Sequence, residues 1–287
     1  MKLLTVVVAY FPDLSEITEN IKSYIAQSDK LIIWDNTPNQ NPISFEPLKN
    51  IYGDKILIMS TGKNEGIGYA LNRAAEWGLK NGYDLLMTMD QDSNFEEGSL
   101  TFFLQKIEQA KIENTFMFVP MVRQISGGTK TFNEDFRIIE KCMTSGAIHL
   151  LAVFTKIGFF REDLFIEGVD YEMCWRSKLY DLKILQVNNV WLKHVVGNRK
   201  EHILFGLKFH SFNYAPIRLY YSARNLTWLW LKYKKHKYYF KTYFYNWILK
   251  RSAAIILFEK DKIKKLYAIN LGLLHGIIGK LGKRELY

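Results

Sequence analysis

The sequence predicts an α/β protein, a doubly wound and mostly parallel sheet with helices on both faces, followed by a helical extension. Three observations predict it. Short apolar runs alternate with helix-period segments, the runs end in turns that carry carboxylates or glycine, and the last fifth of the chain changes composition. With 287 residues, 48% of them hydrophobic and only six proline, the chain has the apolar side chains to offset the entropy lost on folding, which excludes a disordered protein.

The elements follow in order. Leu3 to Ala9 is a β-branched apolar run and predicts a strand, so the first residues do not read as a signal peptide. Leu14 to Ala26 has helical period, with Ile17, Ile21, Tyr24 and Ile25 on one face. Leu31 to Trp34 is a second strand that stops at the turn cluster Asp35-Asn36-Thr37-Pro38, and Lys55 to Met59 is a third. Gly66 to Lys80 predicts a helix through Ile67, Ala70, Leu71, Ala74, Ala75 and Leu79, closed by Gly82. Leu85 to Met89 is a fourth strand and runs directly into Asp90-Gln91-Asp92-Ser93. In such sheets ligands bind beyond the carboxyl ends of the strands, which directs attention to Tyr10, Asp35, the loop Thr61 to Gly66, and Asp90 to Ser93.

The chemistry of those strand ends is specific. Two carboxylates at i and i+2, Asp90 and Asp92, reach one divalent cation, and an all-oxygen set suits Mg²⁺ or Mn²⁺. Such a cation would neutralise a diphosphate. The alternative is a solvated turn that caps a helix beginning near Glu97. Asn64-Glu-Gly66-Ile-Gly68 has the form of an anion-cradling loop at a helix N-terminus, but it is not G-x-G-x-x-G, which disfavours a nicotinamide cofactor.

Charge divides the chain. After Asn225 there are 14 Lys and Arg against three acids, whereas the first 225 residues hold the other 25 against 26. The same tail carries 13 of the 43 aromatic residues, among them Trp228, Trp230, Tyr238, Tyr239, Tyr243, Tyr245 and Trp247. Helices expected near Tyr214 to Lys232, Tyr238 to Phe258 and Asp261 to Ile278 would present Lys and aromatic side chains to the headgroups of an anionic membrane. The uncharged stretches Cys142 to Thr155 and Leu266 to Lys280 are too short to cross a bilayer. The two cysteines, Cys142 and Cys174, exclude a disulfide framework and a four-cysteine zinc site, and they read as buried fillers in a reducing compartment.

Five motifs in order carry a resemblance: Val-Val-Val-Ala-Tyr-Phe-Pro at 6 to 12, Trp-Asp35-Asn36-Thr, Asn64-Glu-Gly-Ile-Gly-Tyr-Ala-Leu-Asn72, Asp90-Gln-Asp92-Ser, and Val-Asp170-Tyr-Glu172-Met-Cys-Trp-Arg176. Over roughly the first 200 residues the chain resembles family 2 of the inverting glycosyltransferases, most closely the rhamnosyltransferase-like branch. The resemblance implies a GT-A catalytic domain, taken as residues 1–212; composition makes 213–287 the membrane-associating extension. The resemblance also implies a nucleotide-sugar donor and a divalent metal. By that likeness Asp92 ligates the metal and Asp90 lies near the ribose or the metal. Asp35 accepts a hydrogen bond from the pyrimidine, Ala9 and Tyr10 flank it, and Asn64, Gly66 and Gln91 complete the donor site. His194, before Val-Val-Gly, is the third metal or diphosphate contact. Ser145 and Gly146 lie beneath the acceptor.

Removal of the acceptor's proton needs a carboxylate opposite the leaving group. Asp170 is the choice because it stands six residues before Arg176, as the base does in the family pattern Glu-Asp-x-Asp-Leu-x-x-Arg. Val169 replaces the first acid of that pattern, which leaves Glu172 as the alternative. On a helix the two differ by about 200° in direction, so only one faces the site. Otherwise one acid caps the helix and the other pairs with Arg176. Trp175 and Arg176 belong to the same acceptor-side segment, and Arg218, Tyr220 and Arg224 are expected at the donor phosphates or on a lid.

The expected activity is transfer of rhamnose from dTDP-rhamnose to a cell-surface glycan or lipid-linked acceptor, at the cytoplasmic face of the cell membrane. A UDP-sugar donor, hexose or galactofuranose, is the alternative within the class. From other classes stand a nucleic-acid binder using the basic tail and a nucleotidyltransferase. The first has no use for Asp35, Asp90, Asp92 and Asp170 at strand ends, where they would repel phosphates, so no nucleic-acid partner is expected. The second lacks its Gly-rich, Lys-bearing signature near the first strand.

Overall fold

The computed structural model describes residues 1–40, 42–110, 112–123, 132–194, 200–204, 207–233 and 244–285; the side chains of 204, 207 and 244–246 lie outside this description. The chain forms two compact units. The first is Met1–Phe160 with Asp170–Val195, the second Arg161–Val169 with Val196–Tyr287. Residues 161–169, 200–204 and 207–212, assigned above to the catalytic segment, fall in the second unit.

The first unit is built on one sheet of nine strands: β1 (Leu3–Ala9), β2 (Lys30–Asp35), β3 (Ile56–Ser60), β4 (Leu85–Asp90), β5 (Ser93–Phe95), β6 (Thr115–Arg123), β7 (Phe136–Ile139), β8 (Ala147–Leu150) and β9 (Lys183–His194). Their order is β3-β2-β1-β4-β8-β6-β9-β5, with β7 also on β9. The β3-β2-β1-β4 half is parallel throughout. β8 runs antiparallel to both β4 and β6, and β5 antiparallel to β9. Six helices accompany the sheet: α1 (Leu14–Lys22), α2 (Glu46–Tyr52), α3 (Ile67–Lys80), α4 (Ser99–Gln109), α5 (Leu151–Ile157) and α6 (Val169–Leu179). Nearly every residue of β1 and β2 is buried, as continuous apolar strands covered on both faces must be. Asp13 caps α1, its side chain accepting from the backbone of Ser15 and Glu16.

Past Asp90 the chain turns and Ser93–Phe95 pairs with the end of β9. The helix expected near Glu97 begins at Ser99, after Gly98 in the left-handed region.

The second unit contains the hairpin β10 (Lys200–Leu204) and β11 (Leu207–Ser211), then α7 (Pro216–Lys232), a π-helical turn Phe244–Leu249, α8 (Lys250–Phe258) and α9 (Lys262–Ile277). α7 and α9 touch through glycine: a Cβ on Gly272 would lie 2.5 Å from the Tyr220 carbonyl oxygen, and one on Gly276 2.4 Å from that of Arg224. Tyr220 and Tyr221 are buried with Phe165 and Ala268, Trp247 packs against the Leu219–Ala223–Ile248–Ile255–Ile269 cluster, and Trp228 is sandwiched by Arg161 and Lys232. Tyr220 and Tyr221 therefore serve packing, whereas Trp228, Trp230 and Trp247 are half-buried; Tyr238, Tyr239 and Tyr243, and the side chain of Tyr245, lie outside the described residues. Among the described residues no helix is long and apolar enough to cross a membrane.

Candidate active site

Four parallel strands deliver their carboxyl ends to one edge of the first unit. Ala9 and Asp35 stand side by side in the β1–β2 register, and the Asn36 amide donates to the Ala9 carbonyl at 2.8 Å. Asp35 is almost buried and accepts from the Thr37 amide at 2.8 Å, so Asp-Asn-Thr is a turn as well as a strand end. Tyr10 and Phe11 project beside it, each 47% exposed, with ring centroids 4.6 Å apart. Phe11 is held at φ 45° by a bond from its amide to Thr37 Oγ1 at 3.0 Å. A large side chain in the left-handed region costs on the order of 1–3 kcal/mol, and strain of this kind collects where a side chain must be presented to a ligand. Asn36 links this corner to the start of α3, its Nδ2 donating to the Gly66 carbonyl at 3.3 Å. Asn64 Oδ1 accepts from the Gly66 amide at 3.0 Å, which spends that oxygen on shaping the loop.

Asp90, Asp92 and His194 converge although more than a hundred residues separate them. Pairing of β5 with β9 sets Ser93 opposite His194. One ligand atom from each of Asp90, Asp92 and His194 lies within 4.8 Å of the others, and His194 Nδ1 is 3.4 Å from Asp92 Oδ1 and 2.8 Å from Ser93 Oγ. Two carboxylates and an imidazole could hold a divalent cation. Beneath the cluster the Asp90 amide donates to Ser145 Oγ at 3.1 Å, and the Gly146 amide to the Thr88 carbonyl at 2.7 Å. Gly146 has φ 77°, and a Cβ there would lie 2.8 Å from Pro120, so only glycine fits. Ser145 and Gly146 thus underpin the Asp90 strand end.

Gln91 joins the two halves of the site. Its Oε1 accepts from the Tyr10 amide at 2.7 Å, and its carbonyl accepts from Asn20 Nδ2 at 2.9 Å. Asn20 also accepts from Asn94 Nδ2 at 2.7 Å. Sequence reasoning missed Asn20. The signal was present: it is a buried amide on the same face of α1 as Ile17 and Ile21.

On α6 the two candidate acids separate. Asp170 is part-exposed in the first turn, where its Oδ1 accepts from the Tyr171 amide at 2.8 Å. The Glu172 side chain is fully buried and its Oε2 receives Arg176 Nε at 3.1 Å and Nη2 at 2.9 Å. Arg176 in turn donates to the carbonyls of Ile157 and Phe159, both at 2.6 Å. Glu172 and Arg176 therefore form a strut between α6 and the end of α5, not an acceptor contact, and Trp175 is buried beside Tyr171. Cys142 and Cys174 face each other with sulfurs 3.5 Å apart, and that contact together with burial pushes the Cys142 thiol pKa well up, as inert fillers require.

Of the three second-unit residues expected near phosphate, two are structural. Arg224 is fully buried and donates to Asn225 Oδ1 at 2.7 Å, the Gly282 carbonyl at 2.6 Å and the Leu164 carbonyl at 3.0 Å. Tyr220 is buried with its hydroxyl 2.8 Å from His275 Nδ1. Arg218 is half-exposed and pairs with Glu167. Asn225, not singled out from sequence, donates to the carbonyls of Leu164, Ile166 and Glu167.

Comparison with known proteins places this arrangement. No protein-family model matches the chain. The dTDP-rhamnosyl transferase RfbF of Shigella flexneri is 26% identical over 247 residues, which cover 78% of each protein. TarS of S. aureus, residues 1–349 in complex with UDP-GlcNAc, has a similar structure with a TM-score of 0.60 at 14% identity, over 96% of this chain and 82% of that one. GalNAc-T7, solved with UDP, GalNAc and Mn²⁺, gives 0.60 at 15% identity over 82% of this chain; the match spans about half of GalNAc-T7, 49%. The chain is a glycosyltransferase with the GT-A fold. The order of its strand-end motifs resembles that of family 2, and the chain is similar to RfbF.

Proposed function

We propose that the chain transfers rhamnose from dTDP-rhamnose, with inversion and with a divalent cation, to a hydroxyl of a cell-surface glycan or lipid-linked acceptor. The observation that carries this reading is the Asp90–Asp92–His194 cluster at the end of β4, on the same sheet edge as Asp35 and Tyr10. The sugar and nucleotide rest on the likeness to RfbF.

Asp35, Tyr10 and Phe11 receive the pyrimidine. Asp90, Asp92 and His194 would hold Mn²⁺ or Mg²⁺, which would supply the positive charge that a departing nucleoside diphosphate requires. Ser145 and Gln91 fix the backbone from which those carboxylates project. Asp170 takes the proton from the acceptor hydroxyl as its oxygen attacks the anomeric carbon and the bond to the diphosphate breaks. Glu172, buried and committed to Arg176, does not compete for that proton.

A UDP-sugar donor is the second reading, favoured by the UDP-GlcNAc and UDP complexes of the structural neighbours. Thermal unfolding against dTDP-rhamnose and a set of UDP-hexoses, with and without Mn²⁺, separates the two, because a ligand bound only by the native state raises its stability by mass action. The dTDP donor should give the larger, Mn²⁺-dependent shift, and Asp92→Asn should abolish both that shift and sugar transfer while the protein stays folded. A larger shift with a UDP-sugar would replace the donor assignment, and an active Asp92→Asn enzyme would remove the metal site.

A further inference from the structure

The last helix of the second unit has two unlike faces. Its inner face carries Ala268, Ile269, Gly272 and Gly276, and the two glycines bring it against the α7 backbone. Its outer face carries Ile263, Tyr267, Leu274 and Ile277, exposed by 84%, 54%, 53% and 62%, with the exposed amide of Asn270 among them, and Ile278 follows just past the helix end at 62%. At 100° per residue these positions fall within an arc of roughly 100°. The helix spans 16 residues. An apolar stripe of that length on a water-exposed surface marks an interaction site.

The surrounding charge indicates the partner. Exposed lysines stand at both ends of the stripe, Lys260, Lys262 and Lys264 at one and Lys280 and Lys283 at the other, against the exposed acids Asp261 and Glu285. On the wheel Lys262 and Lys264 lie about 100° to either side of the stripe. An apolar centre with cations on its flanks is the pattern of a helix that lies in the plane of an anionic bilayer, rings and aliphatics below the headgroups and ammonium groups among them. We propose that the outer face of α9 docks the chain on an anionic lipid surface. This narrows the contact expected from the tail to one helix.

The test is flotation of the full chain with vesicles. Wild type should float with phosphatidylglycerol–phosphatidylcholine vesicles, much less with phosphatidylcholine alone, and less as salt rises. Lys262→Gln with Lys264→Gln should lower the partition coefficient by roughly 25-fold, about fivefold for each charge. Ile263→Ser, Leu274→Ser and Ile277→Ser together should abolish flotation. Because these side chains already face water, the thermal unfolding midpoint should stay at the wild-type value. Wild type that ignores phosphatidylglycerol vesicles, or a triple variant that floats unchanged, overturns the proposal. So does a wild-type dimer that the triple variant converts to monomer in light scattering, since the stripe would then cover a second copy.

Discussion

Replacing Asp170 and Glu172 by their amides, one at a time, separates a proton acceptor from a strut. Glu172→Gln leaves the Arg176 guanidinium without its counter-ion. Its side chain is 15% exposed and still bonded to the Ile157 and Phe159 carbonyls. Breaking a fully buried pair costs about 3–5 kcal/mol; here the residual exposure and the remaining amide oxygen reduce that to roughly 2–3 kcal/mol. For a unit of this size that lowers the unfolding midpoint by on the order of 5–10 °C. Asp170→Asn removes a part-exposed carboxylate and should shift the midpoint by no more than about a degree, because surface substitutions stay within about 0.5 kcal/mol. Its turnover should fall by on the order of a hundredfold or more, the usual worth of a positioned base, with donor affinity retained. Calorimetric unfolding and sugar transfer measured on the same preparations give both quantities. A Glu172→Gln enzyme that melts like wild type but does not turn over, beside an active Asp170→Asn enzyme, would refute the reasoning.

Ser145→Ala deprives the Asp90 amide of its acceptor. The loss of about 1 kcal/mol should weaken Mn²⁺ binding roughly fivefold in titration calorimetry, and unchanged affinity would show that Asp90 does not depend on that bond. His149 lies buried among Phe116, Phe154 and Phe160, and desolvation lowers its pKa from 6.5 to about 3. The folded chain therefore stays neutral there while the unfolded chain takes up a proton, so stability falls as pH drops below 6.5 by about 1.4 kcal/mol per unit until the folded pKa is reached. His149→Phe should flatten this acid limb by one proton in urea unfolding between about pH 4 and 6, and an unaltered slope would exclude His149 as its source.

The parallel half of the sheet was legible because each of its strands is a continuous apolar run followed by a polar stop, and Asp35, Asp90 and Asp92 are those stops. The cation cluster was legible only through motif order: that His194 reaches Asp92 depends on β5 pairing with β9, and three residues, Ser93 to Phe95, give too weak a local signal for a strand. Spacing alone left Asp170 and Glu172 open; what it could not show is that Glu172 is buried against Arg176. Arg224 and Tyr220 were misplaced for a related reason. A cation in a helix reads as solvent-facing unless its partners are known, and those of Arg224 are backbone carbonyls of residues 164 and 282, which have no signature of their own. Composition left the role of the aromatic tail open, since Trp and Tyr serve a core as readily as an interface.

The bond between Ser93 and His194 joins residues 101 positions apart in the chain. During synthesis, an emerging polypeptide acquires the first two carboxylates of the cluster long before its imidazole leaves the ribosome. Truncated products ending short of His194 lack one of the three side chains of the candidate cation set.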